Sequence, residues 1–181
     1  IYSLYIPYEA KLRNKQNNLI AIMGIIKGKK LMLFIKKSNS YVSVGYATNH
    51  TLSTSASTIN VSHKDLEDAG TGKWDSQDID TFSWTITTEN FYANDGEGIT
   101  FADLFNYYSA GTELDVKFAV AANSTSGVPT GGWVAPSASG SYVMSGKVVI
   151  TSIDVNAPVD DNATFSITFT GKGALSAETL S

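Results

Sequence analysis

From Leu31 onward the chain alternates with a period of two. Leu31, Leu33 and Ile35 interleave with Met32 and Phe34, a run apolar on both faces, as expected of a strand buried on both sides or lying in an interface. Ser38, Asn39 and Ser40 supply a turn, and Tyr41 to Thr48 resumes the strand. The stretch HTLSTSASTINVS follows, where Thr and Val favour strand over helix. Residues 62–79, SHKDLEDAGTGKWDSQDI, break every period, gather charge and glycine, and read as a long connection. Asp80 to Asn90 returns to strict alternation, with Phe82, Trp84 and Ile86 on one face and Ser83, Thr85 and Thr87 on the other.

One helix interrupts the strands. Thr100 precedes Phe101, Leu104, Phe105 and Tyr108, spaced i, i+3, i+4 and i+7. Thr100 is placed to cap the first turn, Asp103 to complement the helix dipole, and Gly111 to end the helix. Leu114, Val116, Phe118 and Val120 then alternate with Glu113, Asp115 and Lys117 in a half-buried strand. Residues 122–141 form a Gly/Ser/Pro-rich loop carrying Trp133, and a closing hairpin is expected from Tyr142 to Val155 and Ala163 to Gly171. Six or seven strands and one short helix predict a mainly β fold, a β-sandwich or barrel with one flanking α-helix. No internal repeat of fixed period is visible.

Composition sharpens this picture at the N-terminus. Residues 1–22 sustain neither a strand nor a helix period, and Met23 opens the patterned part. The break fits a start at Met23, with foreign residues upstream, or a genuine N-terminal arm. The apolar run Leu19 to Ile26 is about eight residues, short of the roughly 20 a membrane helix needs, and no small-residue cleavage site follows a proper hydrophobic region. We infer no export signal and no membrane insertion. The chain has 181 residues, 43% of them hydrophobic, enough for one self-sufficient core, and no cysteine for a disulfide or thiolate metal site. Its formal net charge of -4 is unevenly spread: residues 1–37 hold eight Lys/Arg against one acid, and the remainder five against sixteen acids. Such a body is poorly suited to gripping nucleic acid, which needs clustered Lys and Arg.

Candidate chemistry is sparse. His63 lies beside Asp65, Glu67 and Asp68, which reads as a solvated acidic turn rather than a metal site with defined ligand spacing. The segment WDSQDID misses the EF-hand spacing, and Asp95 to Gly98 lacks the distant bidentate Glu, so both are read as loops. No nucleophile elbow, P-loop or strand-led dinucleotide fingerprint occurs, and Asp160 and Asp161 are adjacent turn residues. Four Asn-x-Ser/Thr matches are what a Ser/Thr-rich chain gives by chance. No cofactor, metal or catalytic residue is assigned. The positive signal is in the strand faces: exposed edges of strands with one apolar and one hydroxylic face are liabilities unless another chain pairs with them.

Read in order, KGKKLMLFI, YVSVGYATNHTLSTSASTINVSHKD, FSWTITTENFY, ITFADLFNYYSAGTELDVKFAV and SGKVVITSIDVNAPVDDNATFSITFTGKGAL resemble the major tail tube proteins of long-tailed, siphovirus-like bacteriophages and prophages. The likeness covers roughly residues 24–175, and the pattern TSI-x-V-x-AP-x-x-x-x-ATFSIT-x-x-G-x-GAL is its most telling part. Residues 1–22 depart from the pattern and are read as a non-native or disordered N-terminal extension, and residues 23–181 as a single tail tube domain.

The resemblance implies a structural virion protein of the tail, assembled in the bacterial host cytoplasm. It would form homo-hexameric rings that stack into a tube, with tape measure protein and tail terminator as further partners. Double-stranded DNA would pass through without specific binding, along a wall of hydroxyls and carboxylates that does not hold phosphates. Glu89, Asp115 and Asp154, on polar phases of strands, are the candidate lumen-lining residues; the plainer reading is an ordinary solvent face. The connection 62–79 would reach the neighbouring ring, with His63, Lys64, Asp65, Glu67, Asp68, Lys73 and Trp74 as contact groups; a solvated loop with a self-packed Trp is the rival reading. Two other functions fit the pattern. One is the tube protein of a contractile injection or secretion system. The other is a carbohydrate-binding β-sandwich with Trp133 or Trp74 as the sugar platform.

Overall fold

The computed structural model describes residues 26–60, 77–93, 98–122 and 132–181. Among these residues seven strands follow one another: β1 (Leu31–Lys37), β2 (Ser40–Ser43), β3 (Ala47–Asn60), β4 (Gln77–Phe91), β5 (Leu114–Val120), β6 (Tyr142–Asn156) and β7 (Thr164–Thr179). An α-helix, α1 (Phe101–Ser109), lies between β4 and β5. The strands form one sheet in the order β2-β1-β5-β6-β7-β4-β3, and every neighbouring pair is antiparallel.

β2 and β3 are the two ends of that order, yet only Val44, Gly45 and Tyr46 separate them. A flat seven-stranded sheet would hold its edges about 29 Å apart. The four Cα steps available span at most about 15 Å. The sheet must therefore roll up so that its ends meet. At the seam Tyr46 takes a left-handed φ of 53°, Val44 donates to the Leu33 carbonyl at 3.3 Å, and Phe91 donates to the Tyr46 carbonyl at 3.1 Å. Gly98 seals the same corner: its φ is 123°, and a Cβ there would stand 2.7 Å from the Ser43 carbonyl oxygen. The seam also explains why the expected strand Tyr41 to Thr48 is divided in two.

Rolling turns alternate residues of every strand into one core. Leu33 and Ile35, Ile86, Val116, Val148, and Ile167 and Phe169 are almost fully buried there. At its rim sits α1, whose capping box works as its sequence predicts: Thr100 Oγ1 accepts from the Asp103 N–H and the Asp103 carboxylate accepts from the Thr100 N–H. The expected apolar face of α1 is only half used. Leu104 is fully buried and Phe101 packs against the core, but Phe105 and Tyr108 remain 50% and 43% exposed, because the helix grazes the rim instead of crossing it.

The doubly apolar strand β1 has the two partners its pattern calls for. Leu33 and Ile35 face the main core, while Met32 and Phe34 form a second, smaller cluster with Ala121 on the outer side, under Tyr41, Trp133 and Ala135. Two boundaries differ from expectation. β4 begins at Gln77, so residues 77–79 belong to a strand and not to the connection; the register shift between Ser57 and Thr58 leaves Asp80 as an extra residue that hides the alternation. β7 continues past Gly171 to Thr179, because Gly and Ala there carry too little side chain to show a period. The N-terminal extension 1–22, Met23 and the heart of the 62–79 connection fall outside the described residues. Among the described residues, no helix is long and apolar enough to cross a membrane.

Candidate functional site

The outer surface of the roll has two chemically different sides. On β3, β4, β7 and the second half of β6, outward positions form cross-strand rows of hydroxyls. Thr51 pairs with Thr87, Thr87 with Thr168 and Thr168 with Ser152; Ser53 pairs with Thr85 and Thr85 with Thr170. Hydroxyls link neighbouring strands directly: Ser55 to Ser83 at 2.7 Å, Ser57 to Thr81 at 2.6 Å and Thr151 to Thr170 at 2.9 Å. Glu89 and Asp154 are both cross-strand partners of Ser166, from β4 and β6 respectively, so one row reads Asn49, Glu89, Ser166, Asp154. Both carboxylates are exposed. No lysine or arginine occurs in β3, in β4, in residues 149–156 of β6 or in residues 164–170 of β7.

Asp115 belongs to the other side. It sits on β5, three strands away from β4 in the rolled sheet, and pairs with Lys36 at 3.5 Å and Lys147 at 3.6 Å. Lys147 and Lys172 stand directly opposite each other on β6 and β7. Like charges so placed repel. The Glu113 carboxylate bridges them, with one oxygen 2.7 Å from Lys147 and the other 2.6 Å from Lys172. Hydrogen bonds from the two lysines hold the Glu113 carboxyl down at about 2, well below the usual carboxylate range. The Lys117 ammonium stands 4.5 Å over the ring of Tyr41. A cleft of about 310 Å³ opens among Tyr41, Asp115, Ser145, Lys147, Lys172 and Ser176.

The structure thus brings Glu89 and Asp154 together and sets Asp115 apart in a lysine-rich cluster. Strand phase alone could not separate them, since all three are outward-facing; the roll does. The loop residues His63, Lys64, Asp65, Glu67, Asp68, Lys73 and Trp74 lie outside the described residues. The ribbon that carries them is described on both arms: β3 and β4 pair out to Asn60 and Gln77, well beyond Thr85, the last β4 residue bonded to β7. Trp133 is no open platform, because it packs against Met32 and Phe34.

Polar groups are enclosed inside the roll as well. His50 faces the core opposite Thr88, and among the described residues neither of its ring nitrogens finds a hydrogen-bond partner. Burial pushes the imidazole down to about 4. Asn90, on the same face, donates to Thr88 Oγ1 at 3.0 Å while its own oxygen is unpaired among the described residues. Among the described residues, no group of three His, Asp or Glu side chains could hold a metal ion.

A family model described as phage tail tube protein matches residues 25–177. No curated protein matches the chain. Among solved structures, a chain of the virion of a native gene transfer agent particle aligns at 18% identity and TM-score 0.62, covering 86% of this chain and 100% of that one. A chain from the tail of an empty gene transfer agent particle, refined with C6 symmetry, aligns equally well. The SPP1 tail tube aligns at 10% identity and TM-score 0.60, covering 86% of this chain and 80% of that one. A chain of the sheath–tube complex of an extracellular contractile injection system in its extended state aligns at 12% identity and TM-score 0.56, covering 90% and 97%.

Proposed function

The chain belongs to the phage tail tube protein family, and on that premise we propose that six copies close into rings that stack as a hollow tube for double-stranded DNA. Six-fold closure is supported by the C6 symmetry of a similar gene transfer agent tail. The bore is assigned to the hydroxylic side of the roll, with Glu89 and Asp154 as its charged groups. Phosphate is held chiefly by Lys and Arg through counterion release. A wall of Ser and Thr without a basic residue offers the duplex no such foothold, and two carboxylates per subunit repel it. The absence of any Lys or Arg from these strands is the observation that carries the reading. The role is structural and not catalytic.

Ring closure has an evident agent in β3. Among the described residues its outer edge has no partner strand; the strand runs for 14 residues and carries neither a charge nor a proline, the usual protections of a solitary edge. A neighbouring copy supplies the missing strand. The ribbon of β3 and β4 leads toward the next ring, and His63, Lys64, Asp65, Glu67, Asp68, Lys73 and Trp74, in the sequence between the two strands, are its contact groups in this reading. In this reading Asp115 is a partner of lysines and not a bore residue. Tape measure protein fills the bore before DNA does, a terminator caps the stack, and assembly takes place in the host cytoplasm before the tail joins the virion.

Electron microscopy of the full chain over a concentration series tests this. Stacked rings with an open bore are expected; dispersed monomers at high concentration would overturn it. Tubes of a Glu89→Lys, Asp154→Lys variant should retain DNA in a salt-dependent way that wild-type tubes do not. Equal retention by both would remove these residues from the bore.

A further inference from the structure

The described arms of the ribbon carry acid, and β5, β6 and β7 offer a basic cleft. Beyond Thr85, β3 and β4 continue as a two-stranded ribbon, and Asp78 lies seven residues farther out, a projection of about 20 Å at strand spacing. Asp78 and Asp80 make no ion pair among the described residues. Along its core-facing side the ribbon carries apolar groups out of the body, Phe82 77% exposed and Ile79 56%, while Asp78, paired with Ile59, lies on the opposite face. A solitary two-stranded ribbon is at best marginal in water and gains from a contact on either face.

The cleft between β5, β6 and β7 has the matching chemistry. Lys147 and Lys172 line it against Asp115; Glu113 lies between these two lysines, Lys36 beside Asp115 and Lys117 over the Tyr41 ring, an excess of two positive charges in the neighbourhood. Its lysines already hold two carboxylates of their own chain, so the geometry suits carboxylates. The Tyr41 ring gives it an apolar wall. Beside it, residues 171–179 of β7 have left β4 behind, since that pairing ends at Thr170. We propose that this lysine cleft is the seat of the acidic ribbon of a second copy, with Asp78 and Asp80 meeting Lys147 and Lys172. The contact rests on the self-assembly reading and deepens it. Nucleic acid is the less suited occupant, because carboxylates stand within the lysine cluster and the cleft faces away from the hydroxylic side.

A charge-swap assembly test decides it. Variant one carries Lys147→Glu and Lys172→Glu; variant two carries Asp78→Lys and Asp80→Lys, on a ribbon whose reversal leaves the core untouched. Circular dichroism checks that each is folded, and light scattering with electron microscopy reads the concentration at which tubes appear. Each variant alone should require at least tenfold more protein than wild type, while an equimolar mixture, in which unlike variants meet, should return to within about threefold of it. The contact is refuted if variant two assembles like wild type, or if two folded variants fail to rescue each other. It is also refuted if variant one assembles normally and only its DNA retention falls, which would make nucleic acid the occupant. A wild-type chain that never assembles would overturn the ring reading itself, and this contact with it.

Discussion

Trp84 is wedged against two backbones, and Gly171→Ala should drive it out. The indole is 5% exposed and donates from Nε1 to the Gly173 carbonyl at 2.9 Å. A Cβ at residue 171 would lie 2.2 Å from Trp84 Cε2 and 2.3 Å from Nε1, and a Cβ at residue 146 would lie 2.7 Å from Cζ2. The ring is held close over both backbones. Overpacking of this kind costs about 1–3 kcal/mol, and loss of the indole hydrogen bond adds about 1 kcal/mol. Together they predict a loss of about 2–4 kcal/mol in urea unfolding of dispersed subunits, or a Tm lower by roughly 5–15 °C for a chain of this size. Gly28→Ala is the control, because nothing stands within 4 Å of its added methyl; it should stay within about 0.5 kcal/mol of wild type. Trp84→Phe should relieve part of the overlap, so the double variant should be less damaged than the two single losses summed. A Gly171→Ala subunit as stable as wild type would refute the close packing at this position.

Two further outcomes follow from local chemistry. Removing the cap of α1 by Thr100→Ala should lower stability by about 1 kcal/mol in the same urea assay, with strand signals unchanged. His50 should make stability fall in acid: its folded pKa, about 4, lies below the ordinary 6.5, so the stabilisation is complete above pH 6.5 and is lost as pH falls toward 4. Its full extent is about 3 kcal/mol. His50→Leu should flatten the stability profile across that window, and an unchanged slope would show that the acid response lies elsewhere.

Much of the architecture is legible in period-two alternation, and the reasons for the exceptions are physical. Met32 and Phe34 announce a second buried face, and the structure supplies it with Trp133. The divided strand at Val44 to Tyr46 is invisible in sequence, because the left-handed residue at the seam is a tyrosine, not the glycine or asparagine such a turn normally advertises. Asp80 conceals three strand residues by breaking the alternation with one insertion. Of the bore candidates, all three strand phases are readable, but Asp115 differs from Glu89 and Asp154 only by where the roll carries it. His50 gives no signal in sequence, since its burial depends on which side of β3 meets the core.

The close packing at Gly171 connects these surfaces. One strand, β7, shows Ser166, Thr168 and Thr170 to the hydroxylic side and, two residues on, Lys172 to the basic cleft. Between them the backbone of Gly171 lies close over Trp84, and Trp84 itself belongs to β4, the arm of the acidic ribbon. Bore wall, cleft and ribbon are therefore set at fixed angles by one indole and the small residues around it. A disturbance there should mis-aim the ribbon even when the subunit stays folded. Gly171→Ala subunits at a temperature well below their lowered Tm should accordingly assemble poorly, and Trp84→Phe should restore assembly in the double variant in parallel with stability. Recovery of stability without recovery of tubes would separate the Trp84 packing from the assembly geometry and refute that coupling.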